Sequence, residues 1–120
     1  MTTTSRSESD EQIGFVRWFE GQFAKVRIFH IPNGGHRAIS VAKKMKAEGV
    51  KPGVPDLYVP AWRLWIEMKR TTGGRLSRDQ KDWIAYLEGI GDTVIVGHGA
   101  RDASAKLIEL LQSRQKEHTE

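Results

Sequence analysis

The chain contains no cysteine, which excludes disulfide bonds, thiolate metal sites and a cysteine nucleophile. No apolar run approaches the roughly 20 residues that a membrane-spanning helix needs, and the start, MTTTSRSESDEQ, lacks the apolar core of a signal peptide. The 120 residues have room for one domain with one core. We therefore expect a cytoplasmic protein without membrane association. Its flexible N-terminus would be 1–9, its single domain 10–116 and its frayed C-terminus 117–120.

Positive charge is concentrated in the middle of the chain. Residues 25–81 carry thirteen basic and four acidic side chains, a net charge of +9, whereas 1–24 and 82–120 carry −2 and −3. The whole chain has a net charge of only +4. A solvated surface would not segregate charge in this way, but a binding site for a polyanion would. The charge pattern therefore predicts a nucleic acid as the partner.

Hydrophobic periodicity predicts a mixed α/β sheet flanked by helices, in the order α-β-α-β-β-α-β-α. In the second helix, Ala38, Val41, Ala42 and Met45 are expected to face the core. The predicted helices are a first from Asp10, a second over Arg37–Glu48 that ends at Gly49, a third from Ser77 and a fourth over Asp102–Gln115. The predicted strands are Val26–Ile31, Asp56–Pro60, Arg63–Arg70 and Thr93–Gly97.

Two carboxylates and a lysine form the main candidate site. Glu67 and Lys69 are two residues apart in a predicted strand, so their side chains leave the same face. If the two middle strands pair as an antiparallel hairpin with Val59 opposite Leu64, the same register places Asp56 opposite Glu67, with Cβ atoms about 5 Å apart. Two carboxylates that close repel each other unless a cation lies between them. Such hard oxygen ligands suit Mg²⁺ or Mn²⁺.

A lysine beside a carboxylate pair points to phosphodiester chemistry. Lys69 could orient or deprotonate an attacking water, or neutralise charge on a scissile phosphate, as metal-assisted hydrolysis requires. Each part also has an ordinary structural explanation. Glu67 and Lys69 could form a surface ion pair, and Asp56 after Pro55 could belong to a turn. The shared register and the surrounding cationic segment together favour a catalytic site.

The motifs in this order resemble those of a nuclease family. Gly53-Val54-Pro55-Asp56-Leu57 and Trp65-Ile66-Glu67-Met68-Lys69 resemble the PD-(D/E)XK signature, and the wider pattern is similar to its VRR-NUC (virus-type replication–repair nuclease) branch. The resemblance extends from about Glu11 to Val96. The further matching segments are Glu11 in the first helix, His30-Ile31-Pro32-Asn33-Gly34-Gly35 with Arg37, Gly49-Val50-Lys51-Pro52-Gly53, and Leu76-Ser77 with Gln80.

The resemblance implies a restriction-endonuclease-like fold and cleavage of DNA that depends on Mg²⁺ or Mn²⁺, without a nucleotide cofactor. Asp56 and Glu67 would be metal ligands and Lys69 the catalytic lysine. Short stand-alone members resemble Holliday junction resolvases, so we expect a homodimer that cuts branched DNA during repair, in a bacterial or phage-infected host cell. Two alternatives stay open. One is a nicking or restriction-type nuclease on linear duplex, and the other is a noncatalytic DNA-binding module of the same fold.

Two further polar residues have competing explanations. Glu11 matches the first-helix glutamate of the family, which can complete the metal site, but the helix dipole also favours an acidic residue in a first turn. Glu20 is the alternative ligand. Gln80 follows Ser77 at capping-box spacing, yet it shares a helix face with apolar residues and is expected to act in the active site, positioning water or phosphate.

Basic and polar residues near the motifs are candidate DNA contacts. Trp62 and Trp65 could stack on an unpaired base or serve packing, and His30 is expected to be structural. The Asn33-Gly34-Gly35 segment could be a simple turn or a close approach to phosphate. The expected DNA-binding residues are Asn33, Arg37, Lys51, Arg70, Arg75 and Arg78.

Overall fold

A four-stranded mixed sheet forms the centre of the protein in the computed structural model, which describes residues 6–32 and 38–119. A 3₁₀ turn at Pro60–Trp62 joins the second and third strands. The observed order of helices and strands agrees with the predicted one, and the predicted α/β class is confirmed. The helices are α1 (Glu8–Gln22), α2 (Ile39–Ala47), α3 (Arg78–Gly89) and α4 (Ala100–Thr119). The strands are β1 (Phe29–His30), β2 (Leu57–Val59), β3 (Leu64–Lys69) and β4 (Thr93–His98).

The strands lie side by side in the order β1-β2-β3-β4. β2 and β3 are antiparallel with Val59 opposite Leu64 and Leu57 opposite Ile66, which confirms the predicted register. β3 and β4 are parallel, and α3 makes the connection between them. The confirmed register extends to the residue before β2, so Asp56 comes beside the part of β3 that contains Glu67.

The two faces of the sheet have different roles. One face packs against Phe15 and Phe19 of α1 and Leu107 of α4, and it forms the buried core. The strand residues on this face are Leu57, Val59, Leu64, Ile66, Met68 and Ile95. Because strand side chains alternate, Trp65, Glu67 and Lys69 project from the opposite face. α3 covers part of that second face, since it packs on β4 and its Gln80 reaches Glu67.

The packing predicted for α2 was wrong. Against the rest of the described chain, α2 buries none of its nine residues, and Ile39 and Val41 are 76% and 47% exposed. Ala38 and Ala42 are exposed as well, and Met45 alone of the four predicted core residues is half-buried. Apolar residues at helical spacing show that a helix has an apolar face. They do not show that another part of the same chain covers it.

Several element ends differ from the predicted positions. α1 begins at Glu8 instead of Asp10 because the Ser7 hydroxyl accepts a hydrogen bond from the Asp10 N–H at 3.0 Å. β1 is shorter than predicted because residues 24–28 form a turn and an irregular segment. Gly49, at φ 104°, follows the last turn of α2 as predicted. α1 begins inside the predicted flexible N-terminus, 1–9, and α4, which ends at Thr119, extends into the predicted frayed C-terminus, 117–120.

The longest helix, α4, has 20 residues. Its sequence alternates apolar with charged and polar residues as far as Leu111, and residues 112–119 are all charged or polar. Within the described ranges, no helix combines the length and the apolar character needed to cross a membrane.

Candidate active site

The carboxyl groups of Asp56 and Glu67 meet on the second face of the sheet, as the hairpin register predicted. Asp56 directly precedes β2, and its side chain is hydrogen-bonded to that of Glu67 in β3. Asp56 Oδ2 also accepts a hydrogen bond from the backbone N–H of Met68 at 2.7 Å. Glu67 is only 2% exposed, whereas Asp56 is half-buried. The pair therefore has one end in the protein interior and one end open to a ligand.

Burial and the neighbouring Asp56 raise the pKa of Glu67 to about 9. Desolvation is the largest cause, followed by the hydrogen bond to Asp56 and its negative charge, while the positive charge of Lys69 acts in the opposite direction. Glu67 therefore keeps its proton at neutral pH when no cation is present. A hard divalent cation between the two carboxylates would replace that proton, so this donor set fits Mg²⁺ or Mn²⁺.

Asp56 and Glu67 are the two carboxylates of the candidate metal site that already lie together. Within the described ranges, no three acidic or histidine side chains are close enough together to hold a metal ion. A third acidic or histidine ligand from the described residues would therefore have to move toward the pair when a cation binds.

Lys69 lies near Glu67 at the end of β3. It is 7% exposed, and its charge acts directly on the Glu67 carboxyl group. The backbone carbonyl of Lys69 accepts a hydrogen bond from Gly99 N–H at 2.8 Å, which fixes this end of the strand. Long cationic side chains are seldom buried without a partner. The burial of Lys69 beside the carboxyl pair therefore favours a functional site over the surface ion pair considered from the sequence.

Gln80 forms the capping box and also contacts Glu67, while its role in positioning water or phosphate stays a prediction. The Ser77 hydroxyl accepts from Gln80 N–H at 3.1 Å and Gln80 Oε1 accepts from Ser77 N–H at 2.8 Å, which completes a capping box at the start of α3. Gln80 Nε2 then donates to Glu67 Oε2 at 3.4 Å. The capping box therefore fixes the orientation of the amide so that its NH₂ group points at the carboxylate pair.

Glu11 of α1 is buried against the first residue of α4. It is 6% exposed, its Oε1 accepts from Ala100 N–H at 3.3 Å, and the same oxygen is 3.8 Å from Nη1 of Arg6. These contacts satisfy the carboxylate at a helix N-terminus. A metal-binding role for Glu11 stays a prediction, and so does the alternative role of Glu20, which is exposed.

Glu8 is a carboxylate near the site that the sequence motifs did not single out. Its negative charge contributes to the raised pKa of Glu67. Glu8 lies one turn before Glu11 on the same side of α1, and this helical spacing is the signal that could have identified it.

Backbone contacts hold Asp56 in place. Its carbonyl oxygen accepts from Ile31 N–H at 2.8 Å and lies 2.9 Å from His30 Nδ1. Gln12 Nε2 is 3.1 Å from the same ring nitrogen. The imidazole ring of His30 therefore positions Asp56, the candidate ligand, by contacting the main-chain carbonyl of Asp56. This contact agrees with the structural role expected for His30 from the sequence.

Gly53 allows the loop before Asp56 to approach α3. Its φ of 88° lies in the left-handed region, and a Cβ atom there would be 2.5 Å from the backbone carbon of Asp79. Only glycine fits between the loop and the first turn of α3, the turn that also carries Gln80.

The basic candidates lie around the site with their side chains exposed. Arg70 directly follows β3, and Arg75 and Arg78 flank the start of α3. Lys51 is exposed in the loop before Asp56. Asn33 and Arg37 lie outside the described residues.

Trp62 serves packing, one of the two roles considered for it. Its ring lies 5.7 Å from that of Phe19 and 5.2 Å from that of Phe23, next to the core. Trp65 projects from the other face of the sheet, toward Tyr58. The two tryptophans therefore belong to different surroundings.

Comparison with known proteins identifies a structural relative. A solved structure described as "VRR_NUC domain protein" superposes on this chain with a TM-score of 0.72 and 27% sequence identity. The match covers 92% of this chain and 89% of that one. Searches of family models and of curated proteins gave no match.

Proposed function

We propose that the chain is a VRR-NUC domain and a divalent-metal-dependent endonuclease that hydrolyses phosphodiester bonds in DNA, which its likeness to a solved VRR_NUC domain protein supports. The observation that carries the proposal is the contact between the buried Glu67 and the half-buried Asp56, with the buried Lys69 beside them and a donor set that fits a hard cation. Glu67 and Lys69 are among the few charged side chains that the described part of the chain buries.

In this proposal, Asp56 and Glu67 hold Mg²⁺ or Mn²⁺. When bound, the cation supplies charge neutralisation at the scissile phosphate and activates water for attack. The Lys69 ammonium group orients the attacking water or balances charge on the phosphate. The Gln80 amide keeps Glu67 in the orientation in which both carboxylates face the ligand. Exposed arginines hold the DNA backbone, and these are Arg70, Arg75 and Arg78.

α1 supplies the third carboxylate of the proposed site. Glu8 is exposed and its charge already acts on Glu67, so it can turn toward the pair without losing a buried contact. Glu11, the residue that the family motif indicates, would have to leave Ala100 N–H and Arg6. These contacts favour Glu8 as the ligand and Glu11 as the residue that anchors α1 to α4.

The proposed substrate is branched DNA such as a Holliday junction, cut by a homodimer in which two active sites make paired nicks. The exposed apolar side chains of α2, Ile39 and Val41, support an association between copies. Molar mass measured by light scattering tests this part. A dimer that becomes a monomer in Val41→Lys agrees with the proposal, and a wild-type monomer at micromolar concentration contradicts it.

Cleavage assays test the nuclease function itself. A four-way junction, a flap and a linear duplex are incubated with Mg²⁺, Mn²⁺ or EDTA, alongside the Asp56→Ala and Lys69→Ala variants. Cleavage that persists in EDTA or in both variants contradicts the metal-site assignment. Linear duplex cut as fast as the junction contradicts the preference for branched DNA. Binding without any cleavage would identify a noncatalytic module of the same fold.

A further inference from the structure

Three aromatic side chains form a row across the sheet beside the candidate active site. Phe29 of β1 lies opposite Tyr58 of β2, and Tyr58 lies opposite Trp65 of β3. The ring centroids are 5.9 Å apart for Phe29 and Tyr58, and 4.2 Å apart for Tyr58 and Trp65. Because residues paired across strands project from the same face, the aromatic row is continuous and ends at the edge strand β1.

The aromatic row is one step along the strands from the carboxylate pair. Asp56 and Tyr58 are two residues apart, as are Trp65 and Glu67, so all four side chains share one face of the sheet. Two residues of a strand span about 7 Å, comparable to one nucleotide of an extended DNA strand. A strand with its scissile phosphate at the carboxylate pair therefore brings a neighbouring base to the row.

The inner end of the aromatic row is rigid. Trp65 Nε1–H donates to Asp92 Oδ2 at 2.9 Å, and the Asp92 carboxylate is bound to the Arg63 guanidinium at 2.7 Å. These contacts fix the indole plane, and the Tyr58 ring packs against it. Rigid rings lose little conformational entropy when a ligand stacks on them.

The outer end of the aromatic row is accessible. Phe29 is 50% exposed and lines an open groove of about 370 Å³ together with residues that include Val26 and Arg27. The groove has room for a planar ring system beside Phe29. The exposed Arg27 and Glu20 also line the groove, so it carries one side chain of each charge and Arg27 is the cation available to a nucleotide phosphate.

We infer that the aromatic row binds an unpaired base of the strand that is cut at Asp56 and Glu67. The inference rests on the proposed nuclease function and narrows the branched substrates to those with single-stranded nucleotides beside the cut phosphate, such as a flap, in preference to a fully paired four-way junction. Stacking on a side chain requires a free base face, and base pairs inside a duplex do not offer one. Because every base has such a face, the row selects the shape of the DNA and tolerates its sequence.

Abasic substitutions test the inference. A labelled duplex with a single-stranded flap is titrated with protein in Ca²⁺, and the flap nucleotides are replaced one at a time by abasic sites. We expect one or two positions next to the branch to weaken binding about 5- to 150-fold when the base is removed. Phe29→Ala should weaken binding to the intact flap and cause little further loss with the abasic flap at those positions.

Two controls separate stacking from other effects. Phe29→Leu keeps an apolar side chain without the ring, so it should behave like Phe29→Ala. Tyr86→Ala removes an aromatic side chain that is 60% exposed on α3 and should keep the wild-type abasic profile. Circular dichroism establishes that each variant is folded.

The contrary outcomes are distinct. Equal affinity for intact and abasic flaps overturns the inference. Loss of a dimer in Phe29→Ala with an unchanged abasic profile also overturns it, because Phe29 would then contact a second copy. Cleavage in Mg²⁺ is measured in parallel. A wild-type protein that cuts DNA without any abasic effect refutes only this inference, whereas one that cuts no DNA refutes the proposed function.

Discussion

Replacing Glu67 with glutamine should stabilise the protein when no metal is present. Burial and Asp56 raise the pKa of Glu67 from 4.5 to about 9. For a group with a raised pKa in the folded state, the favourable contribution is complete below pH 4.5 and is lost as the pH rises toward 9. Between pH 4.5 and pH 7, at 1.36 kcal/mol per pH unit, the loss amounts to about 3 kcal/mol. Glu67→Gln removes it because the amide is neutral at every pH.

The assay is urea unfolding in EDTA at several pH values. We expect the free energy of unfolding of Glu67→Gln to exceed that of the wild type by up to about 3 kcal/mol at pH 7, and the two to converge near pH 4.5. Adding Mg²⁺ should stabilise the wild type, since the cation takes the place of the proton, and should affect the variant much less. Glu20→Gln makes the same chemical change at an exposed position and should leave the stability near that of the wild type.

The result that would refute this reasoning is a variant that is no more stable than the wild type at pH 7 and shows the same dependence on pH. In that case Glu67 would titrate like a solvated carboxyl group. The close, dehydrated carboxylate pair on which the metal site depends would then be absent.

Further predictions concern residues around the carboxylate pair. Gln80→Glu keeps a capping-box acceptor but cannot donate a hydrogen bond to Glu67, so cleavage should fall while the stability of α3 changes little. Gln80→Ala removes both contacts and should in addition lower the free energy of unfolding in urea by about 1 kcal/mol. Equal cleavage by both variants and the wild type would exclude a role for the amide. Glu8→Gln should weaken Mg²⁺ binding in calorimetry, whereas Glu11→Gln should mainly lower thermal stability; the reverse pattern would make Glu11 the ligand. His30→Ala should raise the Mg²⁺ concentration needed for half-maximal cleavage because it loosens Asp56, and an unchanged metal requirement would count against that positioning.

The hairpin could be predicted from the sequence because one register satisfied two requirements. Placing Val59 opposite Leu64 puts apolar side chains on the core face and brings Asp56 to Glu67, and the structure has that register. Alternation along β3 likewise predicted that Glu67 and Lys69 share a face. Strand periodicity is strict, so a shift by one residue would have exposed the core.

Other features depend on tertiary contacts that periodicity does not contain. The apolar face of α2 has the same spacing whether it is covered or exposed, so Val41 was misplaced in the core. The sequence predicted an active-site position for Gln80 over a cap, whereas the amide oxygen makes the cap and the amide nitrogen contacts Glu67. Glu8 escaped notice because its effect on Glu67 acts across the fold, between α1 and β3.

The central claim is that Asp56 and Glu67 bind a divalent cation with which this protein cuts DNA. The most direct measurement is the rate of cleavage of a flap or four-way junction against Mg²⁺ concentration, for the wild type and for Asp56→Asn. The account predicts saturable, EDTA-sensitive cleavage by the wild type and none by the variant at any Mg²⁺ concentration tested. Equal cleavage by the two proteins would contradict it.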